Sequence, residues 1–283
     1  MKSLKYIYIC LSVTILSFTF NGCDSTTNAF NIFSDADDVQ LGLDVVAEIN
    51  ANPTEYPIFN GDASIKQYIK TRIFDEILAS PKIAKKNVYQ YTIEIVDNKD
   101  VLNAFALPGG PVYVYTGLLK YLDSEAALAG VIGHEIAHAE RRHATNRLTK
   151  YYGVSVLLSL ILGQNPSQLA EIAANLFVGI AFLANSRSDE DEADKFSFEY
   201  LRDTRYYAGS VKFFFEKLNA DGLITGSGSQ LETFLSTHPD PIARIAVTNQ
   251  RLQEANIEVK NYTASGEGIF RPEYQANISS KIP

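Results

Sequence analysis

The chain of 283 residues has little sulfur: two cysteines, one methionine and no tryptophan-rich compensation, since tryptophan is absent. Both cysteines, Cys10 and Cys23, lie near the start. The body of the chain can therefore build neither a disulfide framework nor a cysteine zinc site. The single methionine is Met1, which excludes a metal site resting on a structural methionine. Basic residues are in deficit, 25 Lys+Arg against 33 Asp+Glu, for a net charge of −8. Nucleic acid as the main partner needs a basic face, so this balance argues against it. No apolar run of about 18 residues, the length that marks a membrane helix, follows the N-terminal region. A polytopic membrane protein is thereby disfavoured.

What is present begins with an address. Lys2 and Lys5 precede a largely apolar run, Ile7–Phe20, then Asn21-Gly22-Cys23. This is the layout of a secretory signal peptide, with a core too short for a membrane span. A small residue directly before a cysteine is similar to a bacterial lipobox, although Phe20 and Asn21 replace its usual small aliphatics. The expectation is a signal peptide over 1–22 and a lipid-modified Cys23. A polar tether over 23–34 would then hold a domain of 35–256, followed by a tail, 257–283, without strong periodicity.

Within that domain, apolar spacing predicts helices over 35–50 and 62–78, the second capped by Asp62. Strands are predicted over 88–96, 101–107 and 111–115, the last two joined by a Pro108-Gly109-Gly110 turn. A long helix capped by Asp123 or Ser124 then runs to about Lys150. The apolar runs 154–162 and 172–184 read as a helical hairpin packed on the core; contact with a membrane surface is the sharper alternative. Helices over 188–201, 211–218 and 241–254 complete the series. Helices, a small sheet, then helices point to an α+β fold in one domain.

The chemical signal is His134-Glu135-Ile136-Ala137-His138. On a helix, His134 and His138 are about 40° apart around the axis, so both imidazoles face one zinc ion. Glu135 stands beside them as a base for water. The apolar turns before the motif imply burial, where an unpartnered cluster of this kind is costly. His143 is about half a turn away around the same helix, so it is not expected to be a ligand. Arg141, Arg142 and His143 read as a solvated basic face. A third ligand must come from elsewhere, and catalytic zinc commonly takes two histidines and a carboxylate. The stretch Asp189-Glu190-Asp191-Glu192 with Asp194 supplies acids. Glu190 and Asp194 are one turn apart, so one could bind metal while the other supports a ligand histidine. Spacing alone leaves Glu190, Asp191 and Glu192 unseparated.

Taken together, these blocks resemble the HtpX-like and CAAX prenyl protease type zinc metallopeptidases, a gluzincin family. Asn103-Ala104-Phe105-Ala106-Leu107-Pro108-Gly109-Gly110, Thr116-Gly117-Leu118-Leu119, the His134–His138 motif, Ser186-Arg187 with Glu190 and Asp194, and His238-Pro239 with Arg244 carry the likeness. Small bacterial periplasmic lipoprotein members are most similar. The resemblance implies a mostly helical zincin-type domain with a three-stranded sheet bordering the cleft. It implies one Zn(2+) per chain on His134, His138 and Glu190, with Asp194 behind a ligand. Asn103 and Ala104 would border the substrate, which pairs as an extended strand; a plain turn role for Asn103 is the alternative. His238 would either donate to the oxyanion or occupy the open zinc position, unless it merely caps the next helix. Arg187 and Arg244 are expected to partner the buried acids. The implied activity is endopeptidase cleavage of unfolded or misassembled envelope proteins, with the membrane reached through Cys23 and the domain facing the periplasm. A zinc-containing binding module for unfolded chains and a prenyl-peptide processing enzyme are the competing readings.

Overall fold

A computed structural model describes residues 31–162, 185–224 and 234–283. Cys23, the signal segment and the 172–184 half of the expected hairpin lie outside the described residues. The architecture is α+β and mostly helical, with one small mixed sheet.

Local chemistry sets the early elements. Ser34 and Asp37 form a reciprocal capping box that starts α1, Asp35–Ala51, by satisfying donors the helix end leaves open. Asp62 caps α2, Ala63–Ile69, which continues through a π-helical turn, Lys70–Phe74, into α3, Asp75–Leu78. Ile65, Ile69, Ile73 and Ile77 from this stretch are all fully buried.

The sheet is smaller than the sequence predicts. Strand β1 is Ile93–Val96, β2 is Ala104–Ala106 and β3 is Val112–Tyr115. Their order is β1-β3-β2, with β1 parallel and β2 antiparallel to β3. Residues 88–92 do not pair as a strand because their aromatics are used elsewhere. The hydroxyls of Tyr89 and Tyr91 donate to the carboxylates of Asp38 and Glu140. The β2–β3 turn depends on glycine. Gly109 and Gly110 have φ of 74° and 113°, and a Cβ at Gly109 would stand 2.6 Å from Val39 Cα. Strand β2 is thus left at the sheet edge.

Helix α4, Thr116–Tyr121, leads into α5, Glu125–Glu140, which Ser124 caps. Every residue of α5 is buried, so this is the central helix. Gly130 lets α8, Val211–Ala220, approach: a Cβ there would lie 2.5 Å from Val211 N. Ser197 Oγ, on α7, Arg187–Leu201, donates to the Gly130 carbonyl at 3.1 Å.

The predicted long helix to Lys150 does not form as one piece. It ends at Arg142, whose φ is 60°, and restarts as α6, His143–Leu162. A left-handed residue stops a helix and turns the chain. A second break falls inside α6 at Gly153, with φ 72°. No helix among the described residues is long and apolar enough to cross a membrane.

The chain on both sides of the expected domain packs against it. Phe33 is buried, and Asn31 donates to Thr145 on α6 at 2.9 Å. Beyond α9, Pro241–Glu254, and into α10, Arg271–Asn277, the side chains of Ile269, Tyr274, Ile278 and Ile282 enter the main core. Tyr274 also donates its hydroxyl to the Leu119 carbonyl at 2.6 Å.

Tyr274→Ala should therefore lower unfolding stability by about 3–5 kcal/mol, the usual cost of emptying a large aromatic site. Urea denaturation checks this, and a loss under about 1 kcal/mol would mean the C-terminal segment is not integral to the core.

Candidate metal and catalytic centre

The central helix delivers the paired histidines as their spacing requires. His134 Nε2 and His138 Nε2 face each other at 2.9 Å. Helix α7 brings Glu190 onto them, with its oxygens 3.4 Å from His134 Nε2 and 3.3 Å from His138 Nε2. His238, just before α9, places Nδ1 at 3.1 Å from both Glu190 oxygens and 3.4 Å from His134 Nε2. These four buried side chains offer ligand atoms all within 4.8 Å of one another.

Each facing imidazole is held from behind. His134 Nδ1 lies 2.9 Å from Asp194 Oδ1, which Arg244 also grips. A carboxylate only accepts, so His134 Nδ1 carries the proton and Nε2 keeps a lone pair. On the other ring, His138 Nδ1 meets His143 Nδ1 at 2.7 Å, and His143 Nε2 meets Glu192 Oε2 at 2.9 Å. Glu192 accepts from His143 Nε2–H, so a neutral His143 accepts at Nδ1 from His138. That again leaves a lone pair on His138 Nε2.

Two lone pairs at 2.9 Å repel unless a cation or a proton lies between them. Against burial and Arg244, which oppose it, Glu190 and Asp194 push the His134 imidazole up to about 9. Burial and the charge on His134 hold His138 well below its usual value. Glu135, Glu190 and Asp194 gather around Arg244, and Arg147 also acts on Glu190 and Glu135. Nitrogen donors with one carboxylate suit zinc among common divalent ions.

The structure resolves the acidic stretch. Glu190 joins the histidines, Asp189 closes a capping box with Ser186, Asp191 pairs with Arg251, and Glu192 serves His143. Burial opposes ionisation at Glu190, but His238, Arg244 and His134 keep it well below the usual carboxylate range. Arg244 partners buried acids as expected; the exposed Arg187 instead pairs with the half-buried Asp240.

The reading of Arg141, Arg142 and His143 as a solvated basic face is overturned. All three are buried. Arg141 donates to Glu192 at 3.1 Å, and Arg142 donates to Asp38 at 2.6 Å and to the Phe33 carbonyl. The half-turn geometry behind that reading assumed an unbroken helix. Because α5 stops at Arg142, His143 swings back beneath His138. It remains outside the facing ligand atoms, but it sets the tautomer of one of them.

Glu135 and His138 open onto a cleft of about 610 Å³, bounded by residues 103–108 and by Asn185, Thr237 and His238. Burial raises the Glu135 carboxyl above its usual range. Its Oε1 is buried without a hydrogen bond, with His238 Nε2 3.7 Å away. Asn103 precedes β2, its carbonyl accepts from Tyr115 N at 3.1 Å, and Ala104 pairs with Val114.

An α+β helical domain with this donor set has the form of a zinc-type metallopeptidase domain. Residues 65–252 match Peptidase family M48, and the chain belongs to that family. It is 34% identical to the mitochondrial metalloendopeptidase OMA1 of Arabidopsis thaliana over 177 residues, covering 62% of this chain and 35% of the relative. It is 28% identical over 201 residues to the OMA1 of Schizosaccharomyces pombe, covering 70% and 58%. With the beta-barrel assembly-enhancing protease of Escherichia coli K12 it shares 26% over 240 residues, covering 82% and 47%. The chain thus spans about half the length of the curated relatives it matches.

If His143 fixes the His138 tautomer, His143→Leu should weaken zinc binding by about 10–100-fold. His143→Asn keeps an acceptor where Nδ1 sits and should recover most of that loss. Competition with a zinc chelator measures both. Equal affinities for the two variants would leave His143 a packing residue only.

Proposed function

We propose that this protein is a zinc-dependent endopeptidase acting on extended or misfolded envelope proteins. The observation that carries this reading is the buried, unbonded Glu135 Oε1 beside the converging His134, His138 and Glu190 atoms, at the wall of an open cleft. Zinc held by those three residues would supply Lewis-acid chemistry, polarising a peptide carbonyl and making water acidic near neutral pH.

The chain's own groups do the rest. Glu135 takes the proton from water at Oε1 and later returns it to the leaving amine. Its raised carboxyl pKa suits both transfers. The edge of β2, beginning at Asn103 and Ala104, offers main-chain pairing to an extended substrate. Such pairing tolerates many side chains, which suits clients that have lost their fold. Relatives named for β-barrel assembly support unassembled barrel proteins as the substrate class.

His238 takes the fourth place in the donor set, against Glu190 and His134. That position favours a resting arrangement in which His238 guards the centre, over one in which it only donates to an oxyanion.

We also infer a lipid anchor at Cys23, within the envelope and facing the periplasm. The support is the Lys2/Lys5, apolar-run and Gly22-Cys23 layout. Asn31 is already packed on the domain. The chain between Cys23 and Asn31 reaches at most about 28 Å, so the cleft would stay close to the bilayer.

Cleavage of denatured casein by the zinc-loaded protein tests the activity. Glu135→Gln at equal zinc content should lose at least about a hundredfold in rate; unchanged cleavage would remove Glu135 as the base. His238→Ala should cleave faster if His238 guards the site and slower if it stabilises the oxyanion.

A further inference from the structure

Two arginines line the cleft, and only one makes an ion pair among the described residues. Arg142 is paired with Asp38. Arg147 stands one helical turn after His143 on α6, so it faces the same side of that helix. Its Nε and Nη1 are buried and make no hydrogen bond, and it forms no ion pair among the described residues. A guanidinium carries five donors and cannot shed its charge in a protein. Burying two of its nitrogens without a hydrogen bond is costly, and Asp189, Glu190 and Glu135 offset only part of that cost through space.

The rest of the cleft does not offer it an acceptor. Asp38 is taken by Arg142 and Tyr89. Glu135 Oε1 stays unbonded, as does Asn185 Oδ1 on the opposite wall. Among the described residues, the cleft thus keeps Arg147 nitrogens and acceptors on Glu135 and Asn185 that do not hydrogen-bond one another, while Asp189, Glu190 and Glu135 act on the Arg147 charge through space. A guanidinium with two unbonded N–H groups on the wall of a substrate cleft fits a planar carboxylate, which it can bind through two parallel N–H···O bonds.

We propose that Arg147 is a specificity residue that binds a carboxylate of the peptide substrate at one fixed distance from the scissile bond. This rests on the reading of the cleft as a peptidase site. The carboxylate has two sources, an Asp or Glu side chain or the C-terminus of the substrate.

Cleavage sites in denatured β-casein, mapped by mass spectrometry, show first whether acids cluster at one position. Four peptides built on the best site then vary one feature at a time: Glu or Gln at that position, each with a free or an amidated C-terminus. The wild type should prefer Glu over Gln by about tenfold in kcat/KM. In Arg147→Gln that ratio should fall to about one, and Arg147→Glu should turn it towards Lys. A preference that follows the free C-terminus instead assigns the same arginine to the chain end. Equal ratios in wild type and Arg147→Gln would overturn the proposal.

Anisotropy of the labelled peptides on zinc-loaded Glu135→Gln protein, with and without Arg147→Gln, repeats the comparison without turnover. Selective binding of acidic peptides with no cleavage by the wild type would sink the peptidase reading and leave the anion site standing. Cleavage with no acid selectivity in either assay would do the reverse. Thermal unfolding separates a structural role: Arg147 makes no hydrogen bond or ion pair among the described residues, so Arg147→Gln should not lower Tm.

Discussion

Two imidazole nitrogens pointing lone pairs at each other across 2.9 Å are the constraint on which the structure turns. Nothing in α5 alone would tolerate that arrangement. It is held because each ring is fixed on its far side, His134 by Asp194 and His138 by His143. Those supports are themselves fixed, Asp194 by Arg244 from α9 and His143 by Glu192 from α7. Three helices therefore converge on α5 through charge-assisted bonds rather than through apolar packing alone. Buried ion pairs often add little net stability. Here the buried charges have another use, because they fix which nitrogen of each ring is free.

The supports on the His138 side exist only because the central helix breaks. In a continuous helix, His143 would lie about 140° around from His138 and could not touch it. The left-handed Arg142 is a strained conformation for a side chain of that size. Its guanidinium, bonded to Asp38 and to the Phe33 carbonyl, offsets that strain. Helix α1 and the segment before it thus reach the end of the helix that carries His134 and His138 through one arginine. Residues that read in the sequence as a tether end in a contact that shapes the centre.

What was legible in the sequence was what short range determines. The four-residue spacing of His134 and His138 survives any tertiary context, as do the caps at Ser124 and Asp62 and the proline start at Pro241. Glu190 could not be told from Asp191 and Glu192 by spacing, because the choice is made by how α7 packs on α5. The resemblance named Glu190, and the geometry brings it to the histidines. Arg141–His143 misled because charged residues are exposed far more often than not, and nothing local announces a left-handed Arg142. The last segment misled for a different reason. Tyr274, Ile278 and Ile282 are four apart, but α10 is too short to show a period, and the turn before it hides Ile269.

The groups left unsatisfied point the same way as the groups that are bonded. Around the paired rings the far nitrogens of His134 and His138 each meet a partner, and both carboxylate oxygens of Glu192 are bonded. In the adjoining cleft the pattern reverses, and Glu135, Asn185 and Arg147 keep polar atoms buried and unbonded. A fold selected only for stability would have paired or removed them. Rigid, satisfied polar groups preorganise a centre, and unsatisfied ones beside it mark where another molecule completes the bonding. His238 lies at the boundary between the two regimes, with Nδ1 committed to the cluster and Nε2 turned to Glu135. Glu190 retains Arg244 without it. The residue best placed to close the centre is therefore also the one the cluster can release without losing its other supports.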